Sequence, residues 1–224
     1  MEDMRVNIIN LFIKGLTPRK AAGVVVGNII LGLGIAILRF SMMGNDPYTA
    51  STLAISDGLH VGLGNYQLVL NIVLLVIQLI WGRAYLGFGT IINMCLLGYI
   101  VQFFSFVIDG MCGTLDGKSI VVKLVVMFVS FLVLTYGLSM YQVADLGVAP
   151  YDFLSLGMTK KMPTPYFLNR VITDLVCVMV IVIAVLGGLI GWENSHLGIG
   201  TVLAAFCLGP FINFFNKYNQ KWIR

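Results

Sequence analysis

The chain has 224 residues, of which 58% are hydrophobic and only 11% are charged, and its formal net charge is +4. A soluble globular domain carries about 25% charged residues, so the composition excludes that class, and it excludes an intrinsically disordered chain as well. The sequence has no basic cluster beside stacking aromatic residues, which argues against nucleic-acid binding. An all-α polytopic membrane protein remains.

Residues 1–20 mix acids, bases and a short apolar stretch, which predicts a cytoplasmic amphipathic segment rather than a signal peptide. Six runs of about the 20 residues that a membrane-spanning helix needs follow. The predicted spans are approximately 21–43, 66–82, 86–108, 120–143, 167–190 and 196–215. We expect a first unit over 21–108, an extracytoplasmic connection over 109–119, a second unit over 120–215 and a cytoplasmic tail over 216–224.

Lys and Arg residues are unevenly divided between the two sides of this six-span arrangement. Lys118 is alone on one side. The other side holds ten: Arg5, Lys14, Arg19, Lys20, Arg83, Lys160, Lys161, Lys217, Lys221 and Arg224. Because short loops rich in Lys and Arg stay in the cytoplasm, both termini are predicted to be cytoplasmic.

Two motifs occur twice in the same order. The first recurs 103 residues later, where Gly137, Gly147, Pro150 and Tyr151 correspond to Gly34, Gly44, Pro47 and Tyr48. The second recurs 111 residues later: Leu86, Gly87, Gly89, Thr90 and Gly98 become Leu197, Gly198, Gly200, Thr201 and Gly209. Each copy holds three spans, an odd number, so the second copy must cross the membrane in the opposite direction. The sequence therefore predicts two inverted three-helix repeats.

A short segment that begins with Pro-Tyr follows the first span of each repeat. Pro47 suits the first position of a helix, and Asp46 before it is a good N-cap. The stretch from Pro47 to Asp57 is about 16 Å long as a helix, roughly half of a ~30 Å hydrocarbon core. Such a half-helix is either re-entrant, reaching the midplane, or interfacial. The second copy, at Pro150, has Ala149 in place of the capping aspartate.

The second motif opens the third span of each repeat with two glycines: Gly87 and Gly89, and Gly198 and Gly200. Glycines at the start of a span commonly let helices approach closely, and this is the favoured role. Thr90 and Thr201 leave two interpretations open, because a hydroxyl bonds its own backbone as readily as a solute.

Arg39 is a charged residue inside the first predicted span. Placing an ionisable side chain in hydrocarbon costs about 2.5–3.5 kcal/mol, so it needs a partner, a wet cavity or a function. Arg39 is predicted either to extend to the headgroups or to hold an anionic group of a solute as a bidentate fork. Its counterpart in the second repeat is Gln142.

Asp174 is the second charged candidate, and it lies four residues after Arg170, a spacing that allows an ion pair. Its counterpart is Asn71, and Gln78 follows on the same helical face. Polar residues at matched positions indicate either a shared cavity or hydrogen bonds between helices. Within a cavity, Asp174 would serve proton coupling or ion pairing.

With G-x(9)-G-x-x-P-Y and L-G-x-G-T-x(7)-G doubled over six spans, the sequence resembles the bacterial YczE/YyaS/YitT family of integral membrane proteins, in particular its YczE-like branch. The resemblance extends from about Gly27 to Phe215. It implies a transporter-like protein of the bacterial inner membrane, and it transfers no catalytic residue.

The leading hypothesis is a small secondary transporter or facilitator for a small polar or charged solute. Its substrate-binding candidates are Arg39, Tyr48, Asn71, Gln78, Gln142, Tyr151 and Asp174. The alternative is a non-transporting membrane partner or anchor for a biosynthetic or signalling system. An enzyme, a metal site and a cofactor are not expected. The expected partners are membrane lipid, the solute and a second copy of the chain, which would pack through Gly23 and Gly27.

Overall fold

All regular elements of the computed structural model are helical over the residues that it describes, 15–161, 164 and 166–223, which confirms the all-α class. The helices are α1 (Pro18–Phe40), α2 (Pro47–Gly58), α3 (Leu63–Trp81), α4 (Phe88–Cys112), α5 (Ile120–Ala144), α6 (Pro150–Lys161), α7 (Tyr166–Leu186) and α8 (Ile199–Ile223). Single 3₁₀ turns at Arg83–Tyr85 and Trp192–Asn194 precede α4 and α8.

Five of these helices, α1, α3, α4, α5 and α7, are long and apolar enough to cross a membrane. A sixth span exists if the two arms Trp192–Phe206 and Pro210–Ile223, which meet at 58°, are counted as one. Pro210 lies inside α8, where a proline removes a main-chain hydrogen bond and bends the helix. The last predicted span therefore corresponds to a bent helix, which continues through the predicted tail as far as Ile223.

The short helices α2 and α6 follow α1 and α5, and each has 12 residues. Such a helix is about 18 Å long, less than the ~30 Å core of a bilayer. Pro47 stands at the start of α2, and the Asp46 carboxylate accepts a hydrogen bond from the Thr49 amide at 3.1 Å. The helix start predicted from the sequence is confirmed.

The helices form two groups. The core group consists of α1, α4, α5 and α8, in which α1 packs against α5 more extensively than any other described pair. The short-helix group consists of α2, α3, α6 and α7. Packing of α3 against α4 joins the two groups.

Glycines set the close approach of α1 and α5. A methyl group built on Gly34 would lie 2.5 Å from the Leu134 amide nitrogen, and one on Gly137 would overlap the Leu31 nitrogen. Gly27 faces the same crossing, and Gly23 faces Ile223 of the same chain. The glycine face predicted for a dimer is therefore used within the chain.

Gly137→Ala is expected to lower the free energy of unfolding by about 1–3 kcal/mol, because the added methyl group forces the α1 and α5 backbones apart. Thermal unfolding of the detergent-solubilised protein measures this change. Gly110→Ala in α4 is the matched control, since nothing lies within 4 Å of its added methyl group. Equal melting temperatures for the two variants would contradict the assignment.

Candidate functional site

Two backbone joints fix the loops that lead into α2 and α6. In the first joint, the Met43 carbonyl accepts from the Gly200 amide at 2.6 Å, and the Asn45 amide donates to the His196 carbonyl at 2.9 Å. In the second, the Leu146 carbonyl accepts from the Gly89 amide at 2.7 Å, and the Val148 amide donates to the Tyr85 carbonyl at 3.0 Å. The residues of the two joints are related by the same offsets of 103 and 111 as the sequence motifs.

The motif glycines make these joints possible. Gly44 and Gly147 have φ angles of +97° and +112°, in the region that favours glycine. A methyl group on Gly44 would lie 2.5 Å from the Gly198 nitrogen, and one on Gly147 would lie 2.7 Å from the Gly87 nitrogen. Methyl groups on Gly87, Gly89, Gly198 and Gly200 would likewise meet the opposing loop. These glycines therefore allow close packing against a loop, whereas the sequence predicted close approach between helices.

The motif threonines bond backbone. The Thr90 hydroxyl oxygen accepts from the Gly87 amide at 3.2 Å, and the Thr201 oxygen accepts from the Gly198 amide at 3.1 Å. Thr90 also donates to the Val148 carbonyl at 2.9 Å. Two interpretations were left open for these side chains, and the structure shows the one in which the hydroxyl bonds to backbone.

Between the two joints, the Pro-Tyr tyrosines stack on each other. The ring centroids of Tyr48 and Tyr151 are 4.1 Å apart, and the planes are inclined by 17°. Tyr48 donates its hydroxyl proton to the Asn71 side-chain oxygen at 3.0 Å, and Tyr151 donates to the Asp174 carboxylate at 2.6 Å. Asn71 lies near the middle of α3 and Asp174 near the middle of α7. Four of the seven predicted solute contacts therefore come together.

Arg170 adds charge to this group. Its guanidinium contacts the Asp152 carboxylate at 2.5 Å and the Asp174 carboxylate at 3.4 Å, and it lies 4.8 Å from the centre of the Tyr151 ring. The Arg170–Asp174 pair predicted from the spacing is thus present. The side chains of Arg170, Asp152 and Asp174 are 30%, 27% and 19% exposed, so the ion pairs are half-buried.

We call the tyrosine–carboxylate cluster the set Tyr48, Asn71, Tyr151, Asp152, Arg170 and Asp174. Two further groups border it. Asp46 interacts electrostatically with Arg170 and Asp174, and the Cys177 thiol donates to the Tyr151 hydroxyl at 3.6 Å. Sequence reasoning missed Asp152 as a partner of Arg170, and the repeat gives no signal for it, because the counterparts of these two residues are Thr49 and Gln67.

The other three predicted contacts lie elsewhere. Gln78 is fully buried, and its amide nitrogen donates to the Val148 carbonyl at 3.2 Å, beside the second joint. Gln142 is exposed. Arg39 forms an ion pair with Asp109 at 2.8 Å. None of the three contributes a described contact to the cluster, so their predicted role in solute binding stays untested.

Arg39 lines a separate pocket of about 420 Å³, which we call the Arg39 pocket. Its wall includes Asp109, Asp116 and Glu193, and it reaches Asn45 in the first joint. Asn45 is 1% exposed, and neither polar atom of its side chain has a hydrogen-bond partner among the residues described. Within that same part of the chain, no group of three or more His, Cys, Asp or Glu side chains is arranged to hold a metal ion.

Residues 18–217 match DUF6198, a family of unknown function. The chain is 25% identical to the uncharacterized membrane protein YczE of Bacillus subtilis (strain 168) over 189 residues, which cover 84% of this chain and 81% of that protein. It is 23% identical to the uncharacterized protein YyaS of the same strain, covering 84% of this chain and 87% of that one. An uncharacterized Haemophilus influenzae (strain ATCC 51907 / DSM 11121 / KW20 / Rd) protein is 23% identical, with 83% and 78% covered. No solved structure matches.

These relatives confirm the resemblance to the YczE-like proteins. Together with the apolar helices they make the chain a multi-pass membrane protein, whose exposed apolar side chains, such as Phe106 and Leu186, contact lipid. A family match over most of the chain shows the membership directly. The chain belongs to the DUF6198 family of YczE-like membrane proteins.

Proposed function

We propose that this protein is a small secondary transporter or facilitator for a small polar or charged solute, and that the tyrosine–carboxylate cluster is its binding site. One observation carries the proposal. Two polar pairs at matched positions, Tyr48–Asn71 and Tyr151–Asp174, meet at stacked rings near the middle of two membrane-length helices. Transporters built from repeats bind their solutes at such a place.

A purely structural role explains this cluster poorly. Desolvating charged side chains costs several kcal/mol per ion, so a buried ion pair stabilises a fold weakly compared with apolar packing. Ionisable residues inside a membrane are rare, and they commonly mark a solute or proton pathway.

The proposal includes the inverted repeat and re-entrant half-helices. The two joints, each closed by backbone of the other half of the chain, support it, as does the 12-residue length of α2 and α6. With both termini in the cytoplasm of a bacterium, α2 enters from outside the inner membrane and α6 from the cytoplasm. The repeats then rock against each other to expose the cluster to either side.

A ligand screen on the purified, full-length protein in detergent tests this function. Anionic, cationic and zwitterionic metabolites are added, and thermal unfolding is measured. A metabolite at a hundred times its dissociation constant raises the free energy of unfolding by about 2.7 kcal/mol. Metabolites that stabilise the protein are then tested for flux into proteoliposomes.

We expect Asp174→Asn and Tyr151→Phe to abolish both the stabilisation and the flux, because the first removes the negative charge beside Arg170 and the second removes the hydroxyl that donates to Asp174. Asp145→Asn, the same change at an exposed residue, is the control. If no metabolite binds or crosses the membrane, the proposal fails. The alternative of a non-transporting membrane partner or anchor is then favoured.

A further inference from the structure

We infer that the solute of this protein carries a positive charge. The inference rests on the proposed function and specifies the class of solute that the same site takes. Two separate places in the structure, the tyrosine–carboxylate cluster and the Arg39 pocket, hold more negative than positive side chains. The Asn45–Asp46 dipeptide connects them, because Asn45 lines the pocket and Asp46 borders the cluster.

The cluster has an excess of carboxylates. Among the described residues, Asp152 and Asp174 contact the single cation Arg170, and Asp46 interacts electrostatically with Arg170 and Asp174. When all three carboxylates are ionised, two negative charges are in excess. The N-termini of α2 and α6 supply about +0.5 charge each. Roughly one negative charge is still uncompensated. The other titratable groups there, Tyr48, Tyr151 and Cys177, are neutral when protonated and add no positive charge.

Such an excess is costly in a membrane interior, so the cluster binds either a proton or a cationic group. Arg170 already shows how a planar cation fits there, between two carboxylates and over the Tyr151 ring. An anion in the cluster would be repelled by Asp152 and Asp174, and the guanidinium of Arg170 is already paired with these two carboxylates. The cluster therefore selects for an ammonium or guanidinium group and against a carboxylate or phosphate.

The Arg39 pocket also has an excess of negative charge. Its charged lining consists of Asp109, Asp116 and Glu193 against Arg39, which is itself paired with Asp109, so two carboxylates are again in excess. The lining residue His196 is bonded to Asp57 at 2.9 Å. A cleft with charge of one sign concentrates ions of the opposite sign. A volume of about 420 Å³ suits a small solute, and the unpartnered Asn45 amide supplies a polar contact at its inner wall.

The experiment compares matched probes at 10 mM and constant ionic strength on the full-length protein in detergent. Choline and methylguanidinium are the cations, 3,3-dimethylbutanol and methylurea are their neutral isosteres, and acetate and inorganic phosphate are the anions. We expect the two cations to raise the melting temperature by about 2–4 °C and the other probes to leave it unchanged.

Variants locate the effect. Asp174→Asn should abolish the rise, whereas Asp145→Asn should retain it. If Asp174→Asn does not fold, Glu193→Gln in the Arg39 pocket replaces it, with an expected severalfold loss of apparent cation affinity at low salt. Cation jumps on proteoliposomes adsorbed to a solid-supported membrane should produce transient currents.

The outcomes separate this inference from the proposed function. If the anions stabilise the protein and produce currents while the cations do not, the solute charge is wrong and transport stands. Equal effects of the cations and their neutral isosteres would also overturn the positive charge. If no probe stabilises the protein and the wider metabolite screen gives no flux, both proposals fail.

Discussion

Gly147→Ala is expected to lower the free energy of unfolding by about 2–6 kcal/mol, and Gly44→Ala should cost a similar amount. Two effects combine. Holding a side chain at a φ angle of +112° or +97° strains the backbone by about 1–3 kcal/mol. The new methyl groups also meet the backbone of Gly87 and Gly198, which adds about 1–3 kcal/mol. Thermal unfolding in detergent and the yield of folded protein measure the loss.

Gly117→Ala separates the two effects. Gly117 has a φ angle of +72°, and nothing lies within 4 Å of a methyl group built on it. This control should therefore lose only about 1–2 kcal/mol, the cost of the left-handed conformation. If Gly147→Ala is no worse than Gly117→Ala, close packing at the joint is not what requires the glycine.

The second large effect is expected at Arg170. Arg170→Gln should lower the free energy of unfolding by about 3 kcal/mol, because it leaves the Asp152 and Asp174 carboxylates without their cation. This is the lower end of the range for a broken buried ion pair, in keeping with side chains that are 19–30% exposed.

A double-mutant cycle tests the charge argument for Arg170. Asp152→Asn in the Arg170→Gln background should cost less than it does alone, since the first change has already removed its partner. Arg39→Gln is the matched control for a more exposed pair, with side chains 29% and 47% exposed, and it should cost less than about 1 kcal/mol. Additive effects of the Arg170 and Asp152 changes would contradict a direct pairing.

Local chemistry explains what the sequence could predict. The start of α2 follows from Asp46 and Pro47, and the packing glycines follow from motifs that repeat at constant offsets. Repetition in the sequence also pointed to Tyr48, Asn71, Tyr151 and Asp174, and the structure brings these four side chains together.

Tertiary register explains what the sequence could not predict. The partner of Arg39 is Asp109 at the end of α4, and which residues of two spans lie at one level depends on how the spans slide against each other. The Asp152–Arg170 pair depends in the same way on where α6 lies along α7. The stacking of Tyr48 on Tyr151 joins two elements that are 103 residues apart, and no property of either segment specifies it.

The two joints also impose an order on assembly. Among the described residues, the Met43 carbonyl and the Asn45 amide bond to backbone at residues 196–200, in the second half of the chain. A main-chain polar group without a partner is costly in an apolar environment. During synthesis, the loop before α2 must therefore wait until residues 196–200 have been made. A loop that is synthesised early is thus fixed late, so the two halves of the described fold complete their folding together.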